Sequence, residues 1–209
     1  MTSDLNDSDL MLSRAIAGDD RARDTLFAKY RDRLKRMVRL RLHPQLHRRV
    51  DESDIIQEAF LEASRRLGEY ESGVPCSFFL WLRQITSHKL VDVHRRHLGA
   101  ARRDLRRELQ LHGGLLPTAT SASLAVQLLA GLTSPSGAAV KAEARQLIHD
   151  ALQSLDPIDR EVLALRHFEQ LSNGEAARIL EISESACSNR YVRALGRLRQ
   201  IVKEIPGFH

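Results

Sequence analysis

Cysteine, aromatic residues and long apolar runs are all scarce in this chain of 209 residues. Its two cysteines, Cys76 and Cys187, lie far apart and form no C-x-x-C pair, which argues against a disulfide framework and a thiolate zinc site. Aromatic residues make up 5% of the sequence, while Leu, Ala, Arg and Glu recur at helix-like spacings; a β-rich fold is disfavoured and an all-α fold expected. No apolar run approaches membrane-spanning length, and the opening MTSDLNDSDL lacks the basic-then-apolar pattern of a signal peptide. The expectation is a reduced, cytoplasmic protein with no membrane partner. No Gly-rich phosphate loop, nucleophile elbow or H-E-x-x-H is present, so neither an enzyme with catalytic residues nor a cofactor is expected. His43 with His47, and His94 with His97, have spacings that suit metal ligation on a helix. Neither pair has a third ligand nearby, Pro44 disturbs the first, and basic neighbours of the second repel a cation, so no metal site is expected.

What the chain does have is apolar content of 43%, enough for a buried core, and a basic balance: 32 Lys plus Arg against 27 Asp plus Glu, a formal charge of +5. The pI is near 9.6. Arginine carries most of the positive charge, and its fork suits phosphate and guanine contacts.

The sequence divides into two helical blocks and a linker, with domains expected at 9–103 and 143–203 and a linker at 104–142. In the first block a helix from Asp9 to Ala17 stops at Gly18. A second, Ala22 to Leu42, aligns Leu26, Tyr30, Leu34, Met37 and Leu40 before Pro44 ends it. A third, Ser53 to Leu67, carries Ile55, Ile56, Ala59, Phe60, Ala63 and Leu67 on one face and Asp54, Gln57, Glu58, Leu61 and Glu62 on the other. After a loop with Gly73 and Pro75, a long helix runs from Ser77 to His97 with the only tryptophan, Trp81. The linker is rich in Gly, Ser, Thr, Pro, Ala and Leu, and its leucines suggest a short helix near Ser123 to Ala130, packed on this chain or on a partner.

The second block has the marks of a helix-turn-helix. Asp156–Pro157 starts a helix, Ser172-Asn173-Gly174-Glu175 has capping-box spacing, and Ser183 caps the last helix three residues beyond Leu180. On that last helix Cys187, Tyr191, Ala194, Leu195, Leu198 and Val202 form a core stripe, which makes Cys187 a small core residue rather than a redox sensor. Ser185, Ser188, Asn189, Arg190, Arg193 and Arg197 lie elsewhere on the helix. Small polar residues near a helix start can enter the major groove, and arginines further along reach bases or phosphates. A solvated basic face is the ordinary alternative for the arginines alone.

At the level of families, LDPIDREVLALRHFEQLSNGEAARILEISESACSNRYVRALGRLRQIV resembles the upstream-element-binding domain (sigma region 4) of extracytoplasmic-function sigma factors. VDESDIIQEAFLEASRRLGEYESGVPCSFFLWLRQITSHKLVDVHRR resembles their N-terminal sigma region 2 bundle. The TSPSG run of the linker resembles a subgroup of planctomycete-type bacteria. The resemblance implies a two-domain, all-α initiation factor whose partners are core RNA polymerase and promoter DNA, with room for an anti-sigma factor. The face Asp54, Gln57, Glu58, Leu61 and Glu62 would dock on the clamp coiled coil of the largest polymerase subunit. The loop from Tyr70 to Ser77 would capture a flipped base of the downstream element, at about −10. Its assigned residues are Tyr70, Ser77, Trp81, Thr86, Lys89, Arg95 and Arg96, with rings for stacking and cations for the displaced strand. Phe78 and Trp81, near a helix start, are more often core than base platforms. The last helix would read the upstream element, at about −35, and the linker would lie along the polymerase channel toward RNA exit.

Two positions depart from the family pattern. Glu181 stands in the turn where glycine is common, and Val74-Pro75-Cys76 replaces small polar residues in the downstream loop, which affects base preference more than role. Two other readings compete: a dimeric regulator that binds a palindrome by itself, and a protein-interaction module built on the leucine-rich linker. Dependence on core polymerase separates both from a sigma factor.

Overall fold

Capping residues set most helix boundaries in the computed structural model, which describes residues 2–70, 77–97, 119–130 and 138–204. Helix α1 (Thr2–Ile16) is followed by Gly18 at φ 95°, and Asp19 then accepts a hydrogen bond from the Ala22 N–H to open α2 (Asp20–Arg41). Asp51 opens α3 (Glu52–Arg66) in the same way through Ser53 N–H, and α4 spans Phe78–His97. Thr120 caps α5 (Ser121–Ala130), its hydroxyl accepting from Ser123 N–H at 3.1 Å. Helix α6 covers Ala138–Gln153. Asp156 and Pro157 start α7 (Pro157–Leu163), and Ser172 with Glu175 completes both halves of the capping box on α8 (Asn173–Ile179). Ser183 Oγ accepts from Ala186 N–H at the head of α9 (Glu184–Glu204). Every regular element among the described residues is helical.

Boundaries differ from expectation at two helices. Helix α1 begins at Thr2 rather than near Asp9, and α6 begins at Ala138, ahead of Glu143. The short linker helix is present as α5 and packs on this chain, against α2 and α6, with Leu124 and Ala125 fully buried. The loop residues 71–76 and most of the linker lie outside the described residues.

The two blocks do not keep separate cores. Leu26, Leu34, Met37, Ile56, Ala59, Leu82 and Leu90 of α2–α4 are buried in one cluster that continues into Val162, Leu165, Leu171, Ala176 and Cys187 of the second block. A second cluster gathers Leu124, Ile148, Leu152, Ala164 and Ala194, and Leu40 of α2 completes it. Apolar contact therefore runs through the boundary that composition had suggested as a tether.

One irregular element shapes this boundary. After α7 the chain widens into a π-turn, Ala164–Phe168, with Glu169 N–H reaching back to the Ala164 carbonyl at 3.0 Å. Gln170 then takes φ 57°, a left-handed conformation unusual for a residue with a Cβ. Together they leave the Glu169 side chain 1% exposed, between α2 and α4.

Candidate nucleic-acid and polymerase interfaces

Helix α9 presents two faces. Cys187 and Ala194 are fully buried and Leu198 nearly so, which holds the helix against α6, α7 and α8. Burial pushes the Cys187 thiol up, as befits a core residue. On the outer side Ser185, Ser188, Asn189 and Val192 are exposed at i, i+3, i+4 and i+7, one stripe starting at the helix N-terminus. Val192, 66% exposed, is an apolar member of this stripe that polarity alone did not pick out. An exposed methyl group there suits a thymine methyl.

The arginines of α9 divide into two kinds. Arg197 is exposed, whereas Arg190 and Arg193 converge on Asp159 of α7. Arg190 Nη1 donates to Asp159 Oδ1 at 2.6 Å, and Arg193 donates through Nε and Nη2, both at 3.1 Å. Burial pushes the Asp159 carboxyl up, and the hydrogen bonds from Arg193 and Arg190 outweigh it, holding the group below the usual carboxylate range. Asp159 thus fixes two arginines at the edge of the exposed stripe. Nothing within D-P-I-D-R-E marks it for this role, because its partners lie 31 and 34 residues away.

The residues assigned to the downstream element separate more sharply. Lys89 is half-buried, 3.7 Å from Glu62; Arg95 and Arg96 are exposed, and Arg96 reaches Glu58 at 3.5 Å. Ser77 is exposed, and its hydroxyl donates to Glu175 Oε1 at 3.2 Å. Thr86 is fully buried and donates its hydroxyl to the Leu82 carbonyl at 2.9 Å. Tyr70 is 8% exposed, with its ring edge-on to Phe78 and to Trp81, each at 5.4 Å. Trp81 is only half-buried, at the rim of this aromatic group. The loop at 71–76 lies outside the described residues.

On α3, Asp54, Gln57, Glu58 and Leu61 are exposed and Glu62 is half-buried, so all five share an accessible face. Leu61 is 54% exposed, an apolar point within an acidic surface. Glu58 and Glu62 face the α4 cations, so the acidic face borders the basic one. His94 lies behind, 5% exposed, its Nε2 accepting from the His43 N–H at 3.2 Å. Burial, and then the neighbouring His43, push its pKa down to about 4, so it is neutral at physiological pH. Among the described residues no group of three or more His, Cys, Asp or Glu is arranged to hold a metal, and no helix is long and apolar enough to cross a membrane.

Known proteins agree with this architecture. Residues 26–99 match the family model "Sigma-70 region 2" and residues 145–198 match "Sigma-70, region 4". The chain is 31% identical over 154 residues to the RNA polymerase sigma factor CarQ of Myxococcus xanthus, covering 73% of this chain and 75% of that one. It is 25% identical to the ECF RNA polymerase sigma-E factor of Escherichia coli over 93% of both chains. Among solved structures, CnrH in complex with the cytosolic domain of CnrY is similar in fold, with a TM-score of 0.55 at 22% identity over 95% of this chain and 98% of that one. Two matched domains in the right order, on a wholly helical body with an exposed helix-turn-helix, place the chain in the extracytoplasmic-function group of the sigma-70 family, the promoter-selecting subunits of bacterial RNA polymerase.

Proposed function

We propose that this sigma factor divides its work among three surfaces. The α3 face (Asp54, Gln57, Glu58, Leu61, Glu62) docks on the clamp coiled coil of the largest polymerase subunit. Lys89, Arg95 and Arg96, with Ser77 and Trp81 beside the loop, engage the downstream element as it melts. Ser185, Ser188, Asn189 and Val192 read the upstream element in the major groove, with Arg190, Arg193 and Arg197 on bases or flanking phosphates. The carrying observation is the exposed N-terminal stripe of α9, flanked by arginines and set on a capped helix and a tight turn. On this reading region 2 spans about 9–103 and region 4 begins with α6. The protein acts in the cytoplasm, and the chemistry it supports is binding, not catalysis. The TSPSG run favours the planctomycete-type subgroup. An anti-sigma partner fits as well, since the similar solved structure is of CnrH in complex with the cytosolic domain of CnrY.

The test is in vitro transcription with core polymerase on a promoter library. Initiation at discrete sites only when both components are present supports the reading. Tight duplex binding by the protein alone, without initiation, would move it to a stand-alone regulator. Within that assay Asp54→Lys is expected to abolish co-purification with core polymerase without unfolding. Arg190→Ala and Arg193→Ala should each weaken upstream selectivity.

A further inference from the structure

One carboxylate in region 4 meets two arginines of the DNA-reading helix. Asp159 of α7 has a side chain only 2% exposed, while Arg190 and Arg193 of α9 are 28% and 54% exposed. Arg190 gives it one bond, through Nη1, and also stands 3.8 Å from the helix cap Asp156. Arg193 gives it two, through Nε and Nη2, so one whole edge of its guanidinium lies against the carboxylate. Burial pushes the Asp159 carboxyl up and the two arginines pull it further down, so it is ionised at neutral pH. Arg197, one turn beyond Arg193, is exposed and has no ion pair among the described residues.

Packing does not call for this group. Leu163 of α7 is buried in one cluster with Ala194 and Leu198 of α9, and Val162 in another with Cys187. A sealed carboxylate adds little to such a contact, since desolvation offsets much of its attraction for arginine. What it does add is direction. A surface arginine samples many rotamers, whereas Arg193 is gripped along one edge and Arg190 is held beside it.

A guanidinium has a second edge that can donate twice. With Nε and one hydrogen of Nη2 on Asp159, the end formed by Nη1 and the other Nη2 hydrogen remains, and Nη1 makes no hydrogen bond among the described residues. That end-on fork matches O6 and N7 of guanine in the major groove. A phosphate can accept from the same fork, but it then faces the carboxylate behind, whereas a neutral base does not. Arg193 also adjoins the exposed stripe, one residue after Val192 and one helical turn after Asn189. Arg197 lacks any such counter-ion and is free to follow the DNA backbone.

We propose that Asp159 is the positioning residue of upstream recognition: it buttresses Arg193, with Arg190 as a strut, so that the end-on fork of Arg193 reads one guanine, and its charge turns both arginines away from unselective phosphate binding. The proposal rests on the upstream-reading surface assigned above and adds the residue that makes this surface selective. Asp159 acts through the two arginines and needs no contact with DNA of its own.

The test uses the full chain bound to core polymerase, on the promoter that the library assay yields and on every single-base change of its upstream element. Asp159→Asn keeps the shape, removes the charge and puts an amide donor where an arginine now donates. Discrimination at one G·C pair should fall about tenfold, with the other positions within about twofold. Binding of the holoenzyme to unrelated duplex should tighten severalfold, and the slope of log affinity against log salt should steepen by about one. Arg193→Lys, which keeps the charge without the fork, should lose the same position without tightening unrelated binding. The double variant should discriminate no worse there than Arg193→Lys alone. Unchanged discrimination in Asp159→Asn overturns the buttress, and so does an equal loss at all positions, which a merely structural brace would give. If Asp159→Asn does not fold, Asp159→Leu, an apolar residue of similar length, replaces it with the same expected losses and the same overturning results. A wild-type upstream element without a strongly preferred G·C pair overturns guanine reading by Arg193. Failure of the wild type to initiate at all would instead overturn the sigma-factor assignment of the surfaces.

Discussion

Two of the places where arginine meets carboxylate in this molecule are built for different ends. In the interdomain seam Arg41 and Arg83 are 0% and 3% exposed, and Glu161 and Glu169 come from the other domain. On α9 Arg190 and Arg193 are 28% and 54% exposed and share Asp159 of their own domain. An arginine at the surface can exchange its carboxylate for a phosphate with little change in solvation, so Asp159 holds the pair in position without committing it. A buried arginine has no such freedom. Its partners change only when the whole interface opens.

The largest effect expected from this contrast is at Arg41. Its guanidinium loses through burial, but the charges and hydrogen bonds of Glu161 and Glu169 more than compensate and hold it protonated beyond the ordinary arginine range. Glu169 is likewise pushed up by burial and pulled below its usual value by Arg41 and Arg83. Arg41→Ala strands Glu161 and leaves Glu169 with Arg83 alone, a penalty of about 3–5 kcal/mol for a broken buried pair. Parting of the domains relieves that penalty, so urea unfolding, expected to be a single transition in the wild type, should split into two in Arg41→Ala. A single transition at an unchanged midpoint would show that the seam contributes nothing to the packing.

A second, smaller effect concerns a buried group with no ionic partner. His94 has a folded pKa near 4 against 6.5 when free. The unfolded chain therefore binds the proton first as pH falls. The contribution of His94 is complete above about pH 6.5 and is lost progressively down to about pH 4, at most about 3–4 kcal/mol at 1.4 kcal/mol per unit. Glu169, whose pKa is lowered, loses its contribution further down, as pH falls through the carboxylate range below 4.5. Thermal unfolding at intervals from pH 7 to pH 4 should show the first loss in the wild type and not in His94→Gln. Parallel curves for the two proteins would remove His94 from the account.

What could be read from the sequence, and what could not, follows the range of the interactions. Asp19, Asp51, Asp156, Ser172 and Ser183 cap helices within a few residues of themselves, so the helix order was legible. The faces of α9 were legible as well, because one helix with a clean stripe reports its own burial. The seam was not, since Arg41 and Glu169 are 128 residues apart and nothing local distinguishes them from surface charges. Helix α4 is hard to read for a related reason. It is buried on several sides, so the polar Thr86 and Ser87 return their hydroxyls to backbone carbonyls instead of facing solvent. The π-turn has no sequence mark either; it accompanies a glutamate drawn between two arginines from the other domain.

Left-handed backbone gives the finest comparison between the seam and the DNA-reading domain. Glu181, in the turn of the helix-turn-helix, has φ 54°, and Gln170, at the edge of the seam, has φ 57°. Each places a Cβ where glycine is preferred by about 1 kcal/mol. Glu181 is exposed and makes no side-chain hydrogen bond or ion pair among the described residues, so Glu181→Gly should raise stability by most of that amount. Gln170→Gly relieves the same strain and keeps its carbonyl for Arg33, but it loses the amide oxygen that Arg36 reaches at 3.0 Å. Its gain should be smaller by the worth of one exposed hydrogen bond, about 0.5–1 kcal/mol, leaving it close to neutral. Denaturant midpoints of the two variants measure the difference directly. Equal gains would mean that Arg36 contributes nothing to the interdomain seam, whose polar contacts would then reside wholly in the four buried charges; a net loss at Gln170 would extend the seam outward along α2.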